Sequence, residues 1–165
     1  MLKFIIMISV LLLSNQTVAK GSAALNTIDK VLNQYHQAAA NANFTDYFST
    51  LHENTIILGT DGNERWTKDS FKAFVQPYFS QGRGWKYQVV KRNTTIIKQG
   101  ELAFFDEQLT NASYGDCRGS GVVMNTPQGW KILQYNLTVV VPNEVADDVV
   151  STIQRYRKDV NELKK

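Results

Sequence analysis

Apolar positions near the start of the chain recur at helical spacing. Leu25, Ile28, Leu32, Tyr35 and Ala39 stand three or four residues apart. This spacing places them on one face of a helix of about four turns. A helix with one apolar face has to pack against another element, so the pattern predicts a helix that lies on a sheet.

A short second helix and a hairpin are predicted next. The helix would run from Phe44 to Leu51, with Asn43 or Thr45 as its N-cap. The following segment, ENTIILGTDGNERWT, contains a β-branched run, an Asp-Gly turn and a second short run. This order is typical of a β-hairpin, and Asp61 and Gly62 would form its tip.

A third helix is predicted to begin after Thr67. Thr67 is a suitable N-cap, and Asp69 would place a negative charge in the first turn. Pro77 and the glycines at positions 82 and 84 predict its end. Its buried face would consist of Phe71, Phe74, Val75 and Tyr78.

The pattern changes to long β-rich segments after Trp85. Short turn sequences, QGE, YGD and TPQG, separate these segments. Four long strands in succession predict a curved antiparallel meander. The predicted strands are WKYQVVKRNTTIIK, LAFFDEQLTNAS, CRGSGVVMN and GWKILQYNLTVVV.

A last helix is predicted to open at Asn143, directly after Pro142. It is amphipathic, so we expect it to pack on the domain or on a partner. The chain has no internal repeat and no long polar linker, which favours a single α+β domain. The apolar stripe of this helix consists of Val145, Val149, Ile153, Tyr156, Val160 and Leu163.

The first 19 residues, MLKFIIMISVLLLSNQTVA, are typical of a secretory signal peptide. Lys3 precedes an apolar run, and small residues lead to a cleavage site after Ala19. The run is shorter than the roughly 20 residues that a membrane-spanning helix needs. The sequence therefore predicts a signal peptide at 1–19, a domain at 20–165 and a secreted or periplasmic protein with no membrane contact once the signal is removed.

Charge and side-chain chemistry exclude several classes of function. The formal charge of +3 is small, and the basic tail RYRKDVNELKK is interleaved with acids, so no nucleic-acid partner is expected. Cys117 is the single cysteine, which rules out an intrachain disulfide. His36 and His52 do not form a ligand-spaced pair, and no phosphate loop or dinucleotide fingerprint is present. We therefore expect neither a metal nor a cofactor.

Several strings resemble the SnoaL-like branch of the nuclear transport factor 2-like superfamily. The resemblance implies a cone-shaped curved antiparallel sheet packed by N-terminal helices, with an internal pocket for a small-molecule ligand and commonly a homodimer through the outer sheet face. It implies no single activity, because relatives include ketosteroid isomerase, scytalone dehydratase, limonene-epoxide hydrolase, polyketide cyclases and binding modules. The strings are GTDGNERW at 59–66, PYFSQGRGWKY at 77–87, FDE at 105–107, YGDCRGSGV at 114–122 and GWKILQYNLTVVVPN at 129–143.

Asp106 and Glu107 are the first candidates for catalysis. They are adjacent on a predicted strand, so their side chains point to opposite faces and only one can line a pocket. Either assignment is compatible with the sequence. A carboxylate that faces an apolar cavity is suited to general acid or base catalysis. The alternative is a structural ion pair with Arg118 on the next strand.

Arg118 is the third catalytic candidate. Gly119 and Gly121 remove side-chain bulk beside it, which often marks close approach of a ligand or bending of a sheet. In the first case Arg118 would clamp a carboxylate or phosphate on a small molecule. In the second case it belongs to an internal salt bridge.

The candidate ligand-binding residues lie in the strings that carry the resemblance. Turn chemistry alone explains an Asp-Gly tip, and aromatic residues of a small domain belong more often to its core than to a ligand site. In the last strand, Gln134 and Asn136 share one face with Ile132 and Thr138, and the other face is apolar. The amide face would form the pocket wall, although the inverted assignment is also possible. The full set is Asp61, Glu64, Trp66, Trp85, Tyr87, Gln134 and Asn136.

These observations favour an exported SnoaL-like domain that binds a small organic molecule in its cone. One alternative is a cofactor-free isomerase, dehydratase or cyclase with Asp106 or Glu107 as general base. Another is a protein interaction module that uses the outer sheet face and the C-terminal helix. The sequence carries no string that distinguishes between them.

Overall fold

The computed structural model describes the backbone of residues 2–97 and 100–163 and the side chains of residues 21–97 and 100–163. Four α-helices and six strands follow the predicted order, with a short 3-10 helix before the last α-helix. The elements are α1 (Leu2–Ala40), α2 (Phe44–Ser49), β1 (Leu51–Leu58), β2 (Arg65–Thr67), α3 (Lys68–Phe79), β3 (Gln88–Ile97), β4 (Leu102–Asn111), β5 (Gly115–Thr126), β6 (Gly129–Val139), the 3-10 helix (Asn143–Val145) and α4 (Ala146–Leu163).

The predicted signal peptide coincides with the first half of α1. Its residues, 1–19, have side chains outside the described part of the chain. The signal peptide therefore stays a prediction. Among the helices whose residues are described, none is both long enough and apolar enough to cross a bilayer.

The six strands form one curved, open, mixed sheet in the order β2-β1-β6-β5-β4-β3. Strands β3 to β6 are consecutive antiparallel neighbours, which confirms the predicted meander. Strand β1 pairs with β2 as the predicted hairpin, and it also runs parallel to β6. The sequence did not predict this parallel pairing, which brings the end of β1 beside the end of β6.

The core lies between the inner face of the sheet and helices α1, α2 and α3. Tyr47 of α2 is fully buried, and its ring contacts the rings of Tyr35, Phe71, Phe79 and Trp85. An aromatic core of this kind buries a large apolar area from few residues.

Two helix predictions needed correction at their ends. Helix α2 stops at Ser49, because Leu51 already begins β1. Helix α3 continues past Pro77 to Phe79, and Phe79 takes a core position while Phe74 and Tyr78 are partly exposed. The predicted caps are confirmed, since the side chains of Asn43 and Thr67 accept hydrogen bonds from backbone amides of the first turns.

A bulge in β6 breaks the simple alternation that the sequence predicted. The pairing with β5 shifts register between Val122 and Val123, so that Ile132 and Tyr135 both face the core. The prediction that Ile132 shares a face with Gln134 was therefore wrong. An irregularity of this kind re-aims the side chains that follow it.

Helix α4 lies apart from the core. None of its residues is buried, and Tyr156 on its apolar stripe is 68% exposed. The prediction of an amphipathic helix is confirmed, but packing against the described part of its own domain is not what the structure shows. Four of the six residues of its stripe, Val145, Ile153, Tyr156 and Leu163, are exposed.

Candidate functional site

The inner face of β4 carries one carboxylate into the core. Glu107 is 0% exposed, and it lies in the row of buried side chains that includes Phe105 and Leu109. Asp106 points to the outer face, where Asn93 donates a hydrogen bond to it at 2.9 Å. Of the two arrangements that the sequence allowed, the structure has the one with Glu107 inside.

Three side chains from three different elements hold the Glu107 carboxylate. Arg92 Nε of β3 donates to Oε1 at 2.7 Å. His36 Nε2 of α1 lies 2.7 Å from Oε2. The Tyr135 hydroxyl of β6 donates to the same oxygen at 3.1 Å. Both oxygens are therefore bonded without any help from water.

Space for this cluster depends on a glycine. A Cβ atom at Gly119 would collide with the Tyr135 hydroxyl and would lie 2.9 Å from Glu107 Oε2. Gly119 pairs directly with Glu107 across the β4–β5 ladder. The glycine therefore leaves room for the bond between Tyr135 and Glu107, and a side chain at this position would separate them.

Arg92 connects the sheet to helix α1. Its side chain is 8% exposed, and its Nη1 donates to Asp29 Oδ1 at 3.1 Å and to Asn33 Oδ1 at 2.9 Å. Its Nη2 is buried and has no hydrogen bond within the described residues. A buried guanidinium that is bonded on two sides fixes the relative position of β3, β4 and α1.

Glu107 is held as a carboxylate. Burial alone would raise its pKa, but the hydrogen bond and charge of His36 and those of Arg92 outweigh burial and lower the pKa below its usual value. A carboxylate is only an acceptor, so His36 Nε2 carries the proton of their shared bond. Burial, followed by the charge of Glu107, raises the pKa of Tyr135 well above its usual value, which keeps its hydroxyl protonated.

A small cavity of about 60 Å³ lies next to His36, between the C-terminal ends of β1 and β6. The ring of His36 is part of its wall, and its Nδ1 has no hydrogen bond to any described residue. Burial raises the pKa of Tyr87 at the rim to about 12, so this phenol is a neutral donor at physiological pH. The other lining residues are Tyr35, Ile57, Leu58, Gly59, Trp85, Tyr135 and Leu137.

The structure separates the candidate residues into two groups. Trp85 and Tyr87 line the cavity. Glu107 does not line it, but it is hydrogen-bonded to His36, which does. Arg118 lies on the outer face opposite Gln108, and it forms no ion pair with either acid among the described residues. The alternative of an ion pair with Arg118 was wrong, because Arg92 on the other neighbouring strand is the arginine that faces Glu107.

The remaining ligand-binding candidates do not line the cavity, although the Glu64 carboxylate lies beside its wall at Gly59. Gln134 and Asn136 line a hollow on the outer face, so β6 has the inverted assignment. Trp66 stacks on Phe74 of α3 with ring centroids 5.0 Å apart. Asp61 and Glu64 belong to the hairpin tip, where the Asp61 amide donates to Glu64 Oε2 at 3.2 Å.

Sequence reasoning missed His36, Arg92 and Tyr135 as a group. One signal was available, because Asp29, Asn33 and His36 recur at helical spacing beside the apolar face of α1. A polar stripe along a core-facing helix indicates buried polar partners. No group of three metal-ligating side chains occurs in the part of the chain that the structure describes.

Solved structures with this fold come from several bacteria. A candidate scytalone dehydratase from Novosphingobium aromaticivorans matches with a TM-score of 0.63 and 11% identity, over 75% of this chain and 89% of the other. A cystatin-like fold protein from Burkholderia xenovorans matches with a TM-score of 0.60 and 12% identity, over 73% and 94%. At these identities the likeness shows the fold alone.

One curated relative is a much longer protein. It is an extracellular exo-alpha-L-arabinofuranosidase from Streptomyces chartreusis, 25% identical over 130 residues. These residues are 74% of this chain and only 15% of the relative.

The model of the SnoaL-like domain matches residues 28–142, which contain the cavity and the whole Glu107 cluster. The chain therefore belongs to the SnoaL-like domain family.

Proposed function

We propose that this SnoaL-like domain is exported and binds a small organic molecule in the cavity of its cone, against His36. One observation carries the proposal. The ring of His36 forms part of the cavity wall while Glu107 holds its Nε2 at 2.7 Å, which leaves Nδ1 available to a bound molecule. A single fixed polar atom among aromatic walls is the usual composition of a small-molecule site.

The size and chemistry of the cavity restrict the ligand. Its volume of about 60 Å³ is far below the roughly 300–1,000 Å³ of sites for drug-sized compounds. It therefore accepts a compound of a few non-hydrogen atoms, or one end of a larger compound. Since Nε2 carries the proton of the bond to Glu107, Nδ1 is the ring nitrogen that is left for a ligand. It accepts from a hydroxyl or an N–H when the ring is neutral, and it donates to a carboxylate or a carbonyl when the ring is protonated.

A second candidate is a cofactor-free enzyme that moves a proton. The supporting observation is the Glu107–His36 pair, because a carboxylate bonded to one imidazole nitrogen orients the other as a general base. This changes the role first considered for the acids. Glu107 has three partners and orients His36, whereas Asp106 lies outside the cavity.

His36→Gln tests the binding proposal. The probes are phenols, alcohols and carboxylic acids of up to about eight non-hydrogen atoms, the larger of which would enter the cavity by one end. In the wild type, binding should shift the ¹⁵N resonance of His36 Nδ1, and His36→Gln should weaken binding about tenfold or more. Asp106→Asn, on the outer face, is the matched control and should bind as the wild type does. Equal affinity in His36→Gln would contradict the proposal.

Incubating the protein with mixtures of the same probe compounds in D₂O distinguishes binding from catalysis. Recovery of each bound compound unchanged and unlabelled supports binding alone. Deuterium incorporation or a new product, lost in His36→Gln and retained in Asp106→Asn, supports the enzyme. No bound compound in any mixture would contradict both candidates.

Glu107→Gln should change the pH dependence of stability. The folded pKa of Glu107 is below its unfolded value of 4.5, so its contribution is complete above pH 4.5 and is lost as the pH falls through the folded pKa. At neutral pH, Glu107→Gln should lower the free energy of unfolding by about 3 kcal/mol, because Arg92 is left buried without its carboxylate. Denaturant unfolding from pH 3 to pH 7 measures both effects.

The neighbouring acid is the control for this experiment. Asp106→Asn affects one hydrogen bond on the outer face and should cost about 1 kcal/mol or less at neutral pH. Below pH 4.5 the difference between wild type and Glu107→Gln should shrink. A difference that is constant with pH would show that Glu107 is not held as a carboxylate.

We also propose that two copies of the chain pair through the outer sheet face and α4. Phe104 is 48% exposed on this face, beside Val122 on the neighbouring strand, and most of the apolar stripe of α4 is exposed as well. A second copy supplies both surfaces at once, as a twofold interface requires. The family resemblance points to the same face.

Phe104→Lys should convert the dimer into a monomer in light scattering coupled to size exclusion. Tyr114→Lys is the control, because Tyr114 is exposed at the turn between β4 and β5 and not on this face. A monomeric wild type at all concentrations, or a Phe104→Lys variant that stays dimeric, would rule out this interface.

Export predicts a defined mature N-terminus. If residues 1–19 are a signal peptide, the protein recovered from its native host should begin at Lys20. Intact-mass analysis measures this directly. Recovery of the chain with residues 1–19 attached would contradict the prediction.

A further inference from the structure

A second depression lies at the opposite end of β1 and β6 from the cavity. It is an open groove of about 620 Å³ between the start of β1, the C-terminal end of α2 and the hairpin that joins β5 to β6. Lys68, Lys131, His52 and Gln128 line it, together with the apolar ring of Phe48. None of these residues contacts the Glu107 cluster.

Hydrogen bonds to backbone carbonyls hold two lysine side chains on one wall of this groove. Lys131 Nζ donates to Ser49 O at 2.6 Å, and Lys68 Nζ donates to Leu51 O at 2.7 Å. The two carbonyls are two residues apart, where α2 ends and β1 begins. Each ammonium group has three protons, so each keeps two donors after this bond.

The positive charge at this wall is not balanced. Burial, followed by the charges of Lys72 and Lys131, lowers the pKa of Lys68. Lys72 is one helical turn beyond Lys68, and its ammonium lies 5.8 Å from the centre of the Phe48 ring. The acids that oppose them are Glu53, which is exposed at the groove, and Asp69, which is 95% exposed and 3.9 Å from Lys72.

The neutral groups of the groove also present donors. His52 Nδ1 accepts the Asn54 amide at 3.1 Å, so the neutral ring carries its proton on Nε2. Gln128 also lines the groove, and its side-chain amide carries two N–H donors. Lysines and neutral donors together suit an oxyanion better than any cation.

We propose that this groove binds an oxyanion group, a phosphate or sulphate, on a ligand that is separate from the one in the cone. The lysine donors compensate its charge, and His52 and Gln128 donate hydrogen bonds to its oxygens. Met124, Pro127 and the edge of Phe48 are the apolar part of the lining and would contact the part of the ligand that carries the group. This site does not depend on the function proposed for the cavity.

Titration with inorganic phosphate at low ionic strength tests the site. Wild-type protein should show saturable amide shifts around Ser49 and Gln128 with a Kd of about 1 mM, which is typical of a single small anion. Lys68→Gln combined with Lys131→Gln should weaken binding about tenfold or more. Lys91→Gln, on an exposed part of β3, is the matched control and should leave the Kd unchanged.

Gln128→Glu keeps both lysine contacts and tests the site without removing them. The new carboxylate should weaken phosphate binding about tenfold through like-charge repulsion, with an unchanged melting temperature. A sulphated polysaccharide distinguishes a polymer from a small ligand, because a polymer should bind more tightly than sulphate at equal sulphate concentration. Absence of saturable shifts, or equal affinity in the lysine and Gln128 variants, would overturn the proposal.

Discussion

The burial of one carboxylate determines how the sheet and the first helix fit together. An unpaired charge in an apolar interior is costly, and Glu107 avoids this cost only because α1, β3 and β6 each supply a donor. Arg92 then extends the contact from the sheet to the side chains of Asp29 and Asn33. Removing a single donor leaves the buried Glu107 carboxylate incompletely compensated and so weakens the whole group. The cluster therefore acts as one unit.

Several local features of the chain make this cluster possible. The bulge in β6 turns Tyr135 inward, and Gly119 leaves room for its hydroxyl beside Glu107. The parallel pairing of β1 with β6 brings Leu58 and Gly59 beside Leu137 at the wall of the cavity. The cavity therefore forms where an aromatic core ends, with the fixed ring of His36 as its polar wall. His36 would have two roles in the proposed site, because the bond to Glu107 that stabilises the core also orients its ring.

The sequence predicted the elements well, because their periodicity is strong. The meander, the hairpin, the caps at Asn43 and Thr67 and the amphipathic α4 are all confirmed. The partners of Glu107 were not predictable in the same way. Whether Arg92 or Arg118 faces inward depends on the register of strands that are distant in sequence, and the bulge in β6 changes which face Ile132 occupies. Strand alternation predicted that only one of Asp106 and Glu107 faces inward, but it did not determine which one. The parallel pairing of β1 and the groove between α2 and the β5–β6 hairpin also result from tertiary contacts.

The most direct test of this account is the ionisation of Glu107 itself. Its side-chain carboxyl ¹³C resonance, followed by NMR as a function of pH, reports the folded pKa without reference to stability or ligand. The account predicts a pKa below 4.5 in the wild type and a higher pKa in His36→Gln, since His36 is among the groups that lower it. A wild-type pKa above 4.5 would contradict the account, because Glu107 would then be a buried neutral acid that neither anchors Arg92 nor orients His36.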